Sequence, residues 1–100
     1  MIERTLLINA RLGLHARAAA KLVRVASAFH SQIMLRRLDG TGGTNASADA
    51  KSILSVLMLA AACGTELEAR AEGIDEEAAM NAVAQLFANG FDEVSPESSL

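Results

Sequence analysis

The alternating pattern of residues 65–72 constrains the fold more than any other part of the sequence. Apolar Leu67, Ala69 and Ala71 alternate there with charged side chains, which are Glu66, Glu68, Arg70 and Glu72. A period of two is typical of a β-strand that buries one face and leaves the other in water. A sheet of such strands needs a covering layer on its apolar face only, so the segment predicts a two-layer fold.

Three further strands and three helices are predicted from the spacing of the other apolar residues. We expect strands at 2–9, 32–38 and 44–48, with a turn or hairpin tip at 39–43. Helices are expected at about 16–29, at 50–62 with Asp49 as N-cap, and from the cap Asp75 to a stop at Gly90. The core-facing residues should be Leu6, Ile8, Ala19, Leu22, Val23, Ala26, Ile33, Leu35, Ile53, Val56, Leu57, Ala60, Ala79, Val83, Leu86 and Phe87. The predicted order is β-α-β-β-α-β-α, an α+β (α/β) arrangement with all helices on one face of a single sheet.

The composition indicates one folded domain and argues against nucleic-acid binding. The chain has 100 residues, 51% of them hydrophobic, which is enough for one core. We expect a single domain over 1–90 and a C-terminal tail over 91–100. A net charge of −3, with three Phe and no Trp or Tyr, provides neither a basic patch nor rings to stack on bases.

The few cysteine and histidine residues exclude other classes of site. Cys63 is the only cysteine, so no intramolecular disulfide can form, and we expect it to be a small core or helix-end residue. His15, His30 and Cys63 lack metal-ligand spacing, so neither a metal nor another cofactor is expected, and His30 should face solvent. The first residues do not resemble a signal peptide, and the apolar run 53–63 is shorter than the roughly 20 residues that span a bilayer. We therefore expect a cytoplasmic protein without membrane insertion.

The segment Gly13-Leu14-His15-Ala16-Arg17 is the candidate for chemistry. It places an imidazole at the start of a predicted helix, where backbone amides without intrahelical partners favour an anion. Arg17 adds a planar set of donors suited to phosphate oxygens, and a neutral imidazole nitrogen is a competent nucleophile. These residue types could receive and hold a phosphoryl group. From local sequence alone, an ordinary surface or helix-capping histidine is the more common case.

The same string, the element order and the later Lys51-Ser52-Ile53 together resemble the HPr family, over essentially residues 1–90. HPr is the histidine-containing phosphocarrier of the phosphoenolpyruvate-dependent phosphotransferase system. The resemblance implies an open-faced two-layer sandwich with a four-stranded antiparallel sheet. It also implies that His15 accepts phosphate on Nδ1 from Enzyme I and passes it to an Enzyme IIA domain. Arg17 would then shield the phosphate charge, and the backbone amides of Ala16 and Arg17 would bind its oxygens.

The resemblance extends to regulation and docking on the second predicted helix. Ser52 matches the serine that the HPr kinase/phosphorylase modifies in many relatives, although it could equally be a plain N-terminal helix residue. Lys51 and Leu54, with Leu57 or Met58, are candidates for contacting partners, although apolar residues at helical spacing more often belong to the core, as we expect for Leu57.

Two features depart from the family pattern. Ala18 stands where the family usually has proline. Without proline the unfolded chain has more conformational freedom, so the free energy of unfolding should be lower by about 0.5–1 kcal/mol and the first helical turn slightly looser. The glycine-rich hairpin 39–48 is several residues longer than usual, and we assign it no function.

Three hypotheses for function follow. The leading one is a monomeric carrier rather than an enzyme, serving either sugar uptake or a regulatory, nitrogen-related branch. The second is an interaction module switched by phosphorylation of Ser52, with His15 unused. The third is a small phosphatase that binds phosphate through Arg17, although no second catalytic group is evident near His15.

Overall fold

The computed structural model describes residues 1–38, 47–59 and 61–92 of the chain. In order, the elements are β1 (Ile2–Leu7), α1 (Ala16–Ser27), β2 (Gln32–Arg37), β3 (Ser47–Asp49), α2 (Ile53–Met58), β4 (Glu66–Glu72) and α3 (Glu76–Ala88), followed by a 3₁₀ turn (Gly90–Asp92). The predicted β-α-β-β-α-β-α order is therefore confirmed.

The four strands form one antiparallel sheet in the order β1-β4-β2-β3. β4 is an inner strand, with Leu67 opposite Leu6 of β1 and Ala69 opposite Leu35 of β2. All the predicted inward residues of β1, β2 and β4 are buried, including Ile8 just beyond the end of β1. The clean alternation of β4 thus reflects a strand with neighbours on both edges and a core on one face only.

The opposite face of the sheet is charged and exposed, so the covering layer lies on one side. On this open face, Arg70 pairs with Glu3 and Arg36 pairs with Glu68. The core side is covered by helices whose buried residues are Ala18, Ala19, Leu22 and Ala26 of α1, Val56 of α2, and Ala79, Met80, Val83, Leu86 and Phe87 of α3. Phe91, beyond the expected domain boundary at residue 90, is also fully buried, with its ring centroid 4.7 Å from that of Phe87.

The second helix differs most from its prediction. It covers Ile53–Met58 rather than 50–62, and its N-cap is Ser52, whose Oγ accepts a hydrogen bond from the Ser55 amide at 3.3 Å. Asp49 does not cap the helix because its backbone pairs with Met34 in the sheet, and its carboxylate accepts from the Lys51 amide. Of the residues in this helix, the structure buries only Val56.

The expected burial of Ile53 and Leu57 is therefore wrong: both are exposed. Ala60, the fourth predicted core residue of this helix, lies outside the described residues.

Other differences are smaller. β1 and α1 each end two residues before their predicted limits, and β3, described over Ser47–Asp49, ends one residue after its predicted limit. Asp75 stands at the N-cap position of α3 but makes no capping hydrogen bond, because its carboxylate accepts instead from the turn between α1 and β2. Cys63 is exposed between α2 and β4 rather than buried or at a helix end, whereas His30 is exposed as expected. The predicted turn 39–43 and residues 44–46 lie outside the described residues.

Within the described part of the chain, no helix has the length and apolar character needed to cross a membrane.

Candidate functional site

His15 is the N-cap residue of α1. Its backbone is extended, with φ −78° and ψ 177°, and its Nδ1 accepts a hydrogen bond from the Arg17 amide at 3.3 Å. A nitrogen that accepts a hydrogen bond must carry a lone pair, so the neutral ring has its proton on Nε2. The capping contact therefore leaves Nδ1 as the nucleophilic nitrogen and directs it towards the first turn of the helix.

The loop that precedes His15 is packed tightly against the backbone that follows α2. The amide of Leu14 donates to the carbonyl of Ala61 at 2.9 Å, and the amide of His15 donates to the carbonyl of Gly13 at 2.9 Å. Gly13 has a φ of +68°, and a Cβ there would lie only 2.5 Å from the Ala61 oxygen and 2.9 Å from the Cα of Ala62. Only glycine fits this conformation and this spacing, which explains the glycine two residues before the histidine.

The first turn of α1 presents polar hydrogen towards His15. The first intrahelical bond closes from the Ala19 amide to the His15 carbonyl at 2.8 Å, so the preceding amides, those of Ala16, Arg17 and Ala18, have no acceptor within the helix. The positive end of the helix dipole lies at the same point. Arg17, whose side chain is exposed, follows His15 by two positions in the sequence. The arrangement can stabilise negative charge that arrives on Nδ1.

The start of α2 carries the other predicted functional residues. Ser52 is its N-cap, Leu54 is 66% exposed, and the half-buried Lys51 donates from Nζ to the Phe29 carbonyl at the end of α1. Together with Ile53, Leu57 and Met58, Leu54 forms a set of exposed apolar residues that we call the α2 apolar surface.

The sequence pattern does not predict the contribution of Ile53 to this surface and favours the core for Leu57, because apolar residues at helical spacing usually pack inward. The signal that could have revealed it is Ser52, since serine is a preferred N-cap and would have started the helix at residue 53.

The structure places the histidine loop next to the segment after α2 through the contact between Leu14 and Ala61. This contact lies on the C-terminal side of α2, whereas Lys51, before the start of that helix, contacts Phe29 just beyond the end of α1. The Arg17 amide, which the resemblance assigns to phosphate binding, donates a hydrogen bond to Nδ1 of His15. Nδ1 is the atom on which the resemblance places the phosphoryl group.

Comparison with known proteins decides the family. The family described as "PTS HPr component phosphorylation site" matches residues 2–89 of the chain. The chain belongs to this PTS-HPr family. The phosphocarrier protein HPr of Treponema pallidum is 45% identical over 93 residues, covering 93% of this chain and 99% of the relative. The phosphocarrier protein NPr of Escherichia coli K12 is 40% identical over 92 residues, covering 92% and 97%.

Solved structures of PTS-HPr proteins share the fold. HPr from Thermoanaerobacter tengcongensis superposes with a TM-score of 0.83 at 38% identity, covering 95% of this chain and all of that one. HPr from Bacillus anthracis gives 0.76 at 31% identity, covering 86% and 95%. The predicted fold class and family are both confirmed. Like its relatives, the chain is a phosphocarrier of the phosphotransferase system, which carries a phosphoryl group rather than catalysing a reaction of its own.

Proposed function

We propose that the chain accepts its phosphoryl group from phosphorylated Enzyme I on Nδ1 of His15 and donates it to an Enzyme IIA domain. The observation that carries this proposal is the hydrogen bond from the Arg17 amide to Nδ1, at the N-terminus of α1. It supports the choice of nitrogen as well as the choice of residue, because it keeps a lone pair on Nδ1 and aligns it with the helix dipole.

The groups of this chain that would take part in the transfer lie in the histidine loop and the first turn of α1. The Nδ1 lone pair attacks phosphorus and forms a P–N bond, while the bond from phosphorus to the donor breaks and its electron pair stays with the donor. Once bonded to phosphorus, Nδ1 can no longer accept from the Arg17 amide, which is then available to a phosphoryl oxygen. The Ala16 amide and the Arg17 guanidinium add further donors and positive charge. Donation to Enzyme IIA is the same step in reverse, with the acceptor as nucleophile.

We further propose that partner proteins dock on the α2 apolar surface. Leu54 and Met58 are 66% and 75% exposed, unusual values for large apolar side chains within one short helix. Lys51 supports this surface because its hydrogen bond to the Phe29 carbonyl ties the start of α2 to the end of α1. Phosphoryl transfer would then take place beside the docking surface, across the contact between Leu14 and Ala61.

Ser52 gives the proposal a regulatory extension and also its alternative. Its Oγ caps α2 next to the α2 apolar surface, so a phosphate added by an HPr kinase/phosphorylase would place negative charge where partners dock. In the alternative, this switch is the whole function and His15 is not used. Relatives named HPr and NPr have similar identities to the chain, so the proposal covers both sugar uptake and a regulatory, nitrogen-related branch. The proposal also includes a cytoplasmic, monomeric protein with a single domain, which extends past the expected boundary at residue 90 to include the buried Phe91.

The proposal is tested by intact-mass spectrometry after incubation with phosphoenolpyruvate, magnesium and Enzyme I. We expect one acid-labile phosphoryl adduct on the wild type and on Ser52→Ala, and none on His15→Ala. The His30→Ala variant is the matched control, since His30 is exposed but does not cap a helix, and it should be phosphorylated as the wild type is. An adduct that survives in His15→Ala, or no adduct on the wild type with a cognate Enzyme I, would overturn the proposal. Phosphorylation only by a kinase and only at Ser52 would establish the alternative.

A further inference from the structure

The histidine loop packs against the backbone of Ala61 and Ala62, two residues that follow α2 and that we call the wall. Ala61 accepts the hydrogen bond from Leu14, and Gly13 approaches Ala61 and Ala62 so closely that no Cβ would fit. The carbonyl of Gly13 in turn accepts from the His15 amide. A displacement of Ala61 must therefore move Gly13 or open the contact, and either change alters the position of His15 relative to the first turn of α1.

A side chain from the sheet binds the chain two residues before this wall. Arg37, the last residue of β2, donates from Nη1 to the carbonyl of Leu59 at 3.0 Å. Leu59 is the C-cap residue of α2, and carbonyls at the C-terminal end of a helix lack intrahelical donors and carry partial negative charge. The guanidinium of Arg37 supplies both a donor for such a carbonyl and a compensating positive charge. On the far side of the wall, the Gly64 amide donates to the Ile8 carbonyl at 2.8 Å.

Two hydrogen bonds thus relate Arg37 to the histidine loop: Arg37 binds the Leu59 carbonyl, and Leu14 binds the carbonyl of Ala61, two residues further along the chain. Arg37 holds Leu59, Ala61 supports Gly13 and Leu14, and Gly13 binds the His15 amide. The contact of Gly13 with Ala61 and Ala62 can transmit displacement because it is a close approach of backbone atoms, without a flexible side-chain end that could absorb the change.

We propose that Arg37 is a positioning residue for His15, acting through Leu59 and Ala61 rather than by contact with the phosphoryl group. The inference rests on the proposed role of His15 as phosphoryl acceptor. It assigns a part in phosphoryl transfer to a residue of the sheet that lies outside both the histidine loop and α2.

Arg36 provides a matched control for Arg37. It is the preceding residue on the same strand, but it faces the open side of the sheet and pairs with Glu68 at 2.9 Å. Arg37→Met and Arg36→Met each remove one guanidinium and keep a long apolar side chain, so they differ in which contact they break. Arg37→Lys keeps a cationic donor and should restore part of any loss in Arg37→Met.

The experiment measures phosphorylation of each variant by Enzyme I and phosphoenolpyruvate, well below the unfolding temperature of the least stable variant. For Arg37→Met we expect kcat to fall about fivefold, the effect of losing one hydrogen bond that positions the nucleophile, with KM unchanged because the docking residues remain. Arg36→Met should match the wild type in both constants. In parallel, long-range ¹H–¹⁵N spectra of the unphosphorylated proteins, at a pH where the imidazole is neutral, report on His15. Arg37→Met should shift the Nδ1 and Arg17 amide resonances, and Arg36→Met should leave both in place.

The outcomes separate this inference from the proposed function. If the wild type is not phosphorylated at His15, the proposed function fails, although the ¹H–¹⁵N spectra still test the contact from Arg37 to His15. If the wild type is phosphorylated but Arg37→Met matches Arg36→Met in kcat and in the His15 resonances, the positioning role is refuted and the proposed function stands. A slower Arg37→Met whose His15 resonances do not move would also refute it, because the loss would then reflect a general structural change.

Discussion

Backbone groups make most of the hydrogen bonds that position His15. Its amide donates to Gly13, its carbonyl accepts from Ala19, and its Nδ1 accepts from the Arg17 amide. The side chains of residues 16, 18 and 19 therefore matter less for the proposed chemistry than their φ and ψ angles. A proline at position 18 stiffens the first turn without removing a hydrogen bond, and it should be tolerated. A proline at position 19 removes a hydrogen bond, and it should not be tolerated.

Ala18→Pro should raise the free energy of unfolding by about 0.5–1 kcal/mol, because the ring restricts the unfolded chain and the Ala18 amide has no acceptor within the helix. Ala19→Pro is the matched control: Ala19 is equally buried, but its amide donates to the His15 carbonyl at 2.8 Å. It should lower the free energy of unfolding by about 3 kcal/mol or more. Urea unfolding of the two variants measures both changes. Equal destabilisation by both prolines would contradict this account of the first turn.

Among the secondary-structure elements, α2 shows most clearly what the sequence can and cannot predict. The strands β1, β2 and β4 and the helices α1 and α3 follow from periodicity, because each has a broad buried face that repeats every two residues or every three to four. α2 has six residues and the structure buries one of them, Val56, so its apolar side chains reflect an exposed surface rather than the core.

The candidate site also has one part that the sequence predicts and another that it does not. His15 and Arg17 could be singled out because they form a local motif. The contacts of Gly13 with Ala61, and of Arg37 with Leu59, join residues far apart in the sequence and depend on tertiary packing that no local pattern encodes. The predicted cap Asp49 failed for a related reason, since its pairing with Met34 in the sheet overrides a good local capping signal.

Leu54→Glu tests the α2 apolar surface as a docking site. We expect it to raise KM for Enzyme I at least about tenfold, the effect of losing an apolar interface anchor and burying an unpaired charge, while thermal stability stays near that of the wild type. Leu7→Glu is the control, because Leu7 is 51% exposed on the opposite, open face of the sheet. It should leave KM unchanged. Equal KM values for the two variants would show that partners do not use this surface.

For the molecule as a whole, Asp75 links elements that are distant in sequence. Its carboxylate accepts from the Ser31 hydroxyl and from the amides of His30 and Ser31, which ties the start of α3 to the turn between α1 and β2. Gly73 makes this approach possible, since a Cβ there would lie 2.6 Å from the Cα of Ser31. These hydrogen bonds, that of the Ser31 hydroxyl foremost, lower the pKa of Asp75 from 3.8 to about 2.

The lowered pKa predicts a definite pH dependence of stability. A carboxyl whose pKa is depressed by folding stabilises the native state fully above its unfolded pKa, and this contribution disappears as the pH falls through the folded pKa. Asp75→Asn should therefore be less stable than the wild type at neutral pH, and the difference should shrink as the pH falls from about 4 towards about 2. Urea unfolding of both proteins across this range measures the difference, and ¹³C spectra of the carboxyl give the pKa directly. A difference independent of pH would show that these hydrogen bonds do not favour the ionised form.

The central claim is that the phosphoryl group is carried on Nδ1 of His15, and one spectrum tests it most directly. The ¹⁵N-labelled chain is phosphorylated with Enzyme I and phosphoenolpyruvate, and long-range ¹H–¹⁵N correlations of its imidazole rings are recorded. We predict that the resonance of His15 Nδ1 moves and shows coupling to phosphorus, that the Arg17 amide shifts with it, and that the His30 ring is unchanged. Phosphorus on Nε2, on His30, or on neither ring of a phosphorylated chain would contradict the account.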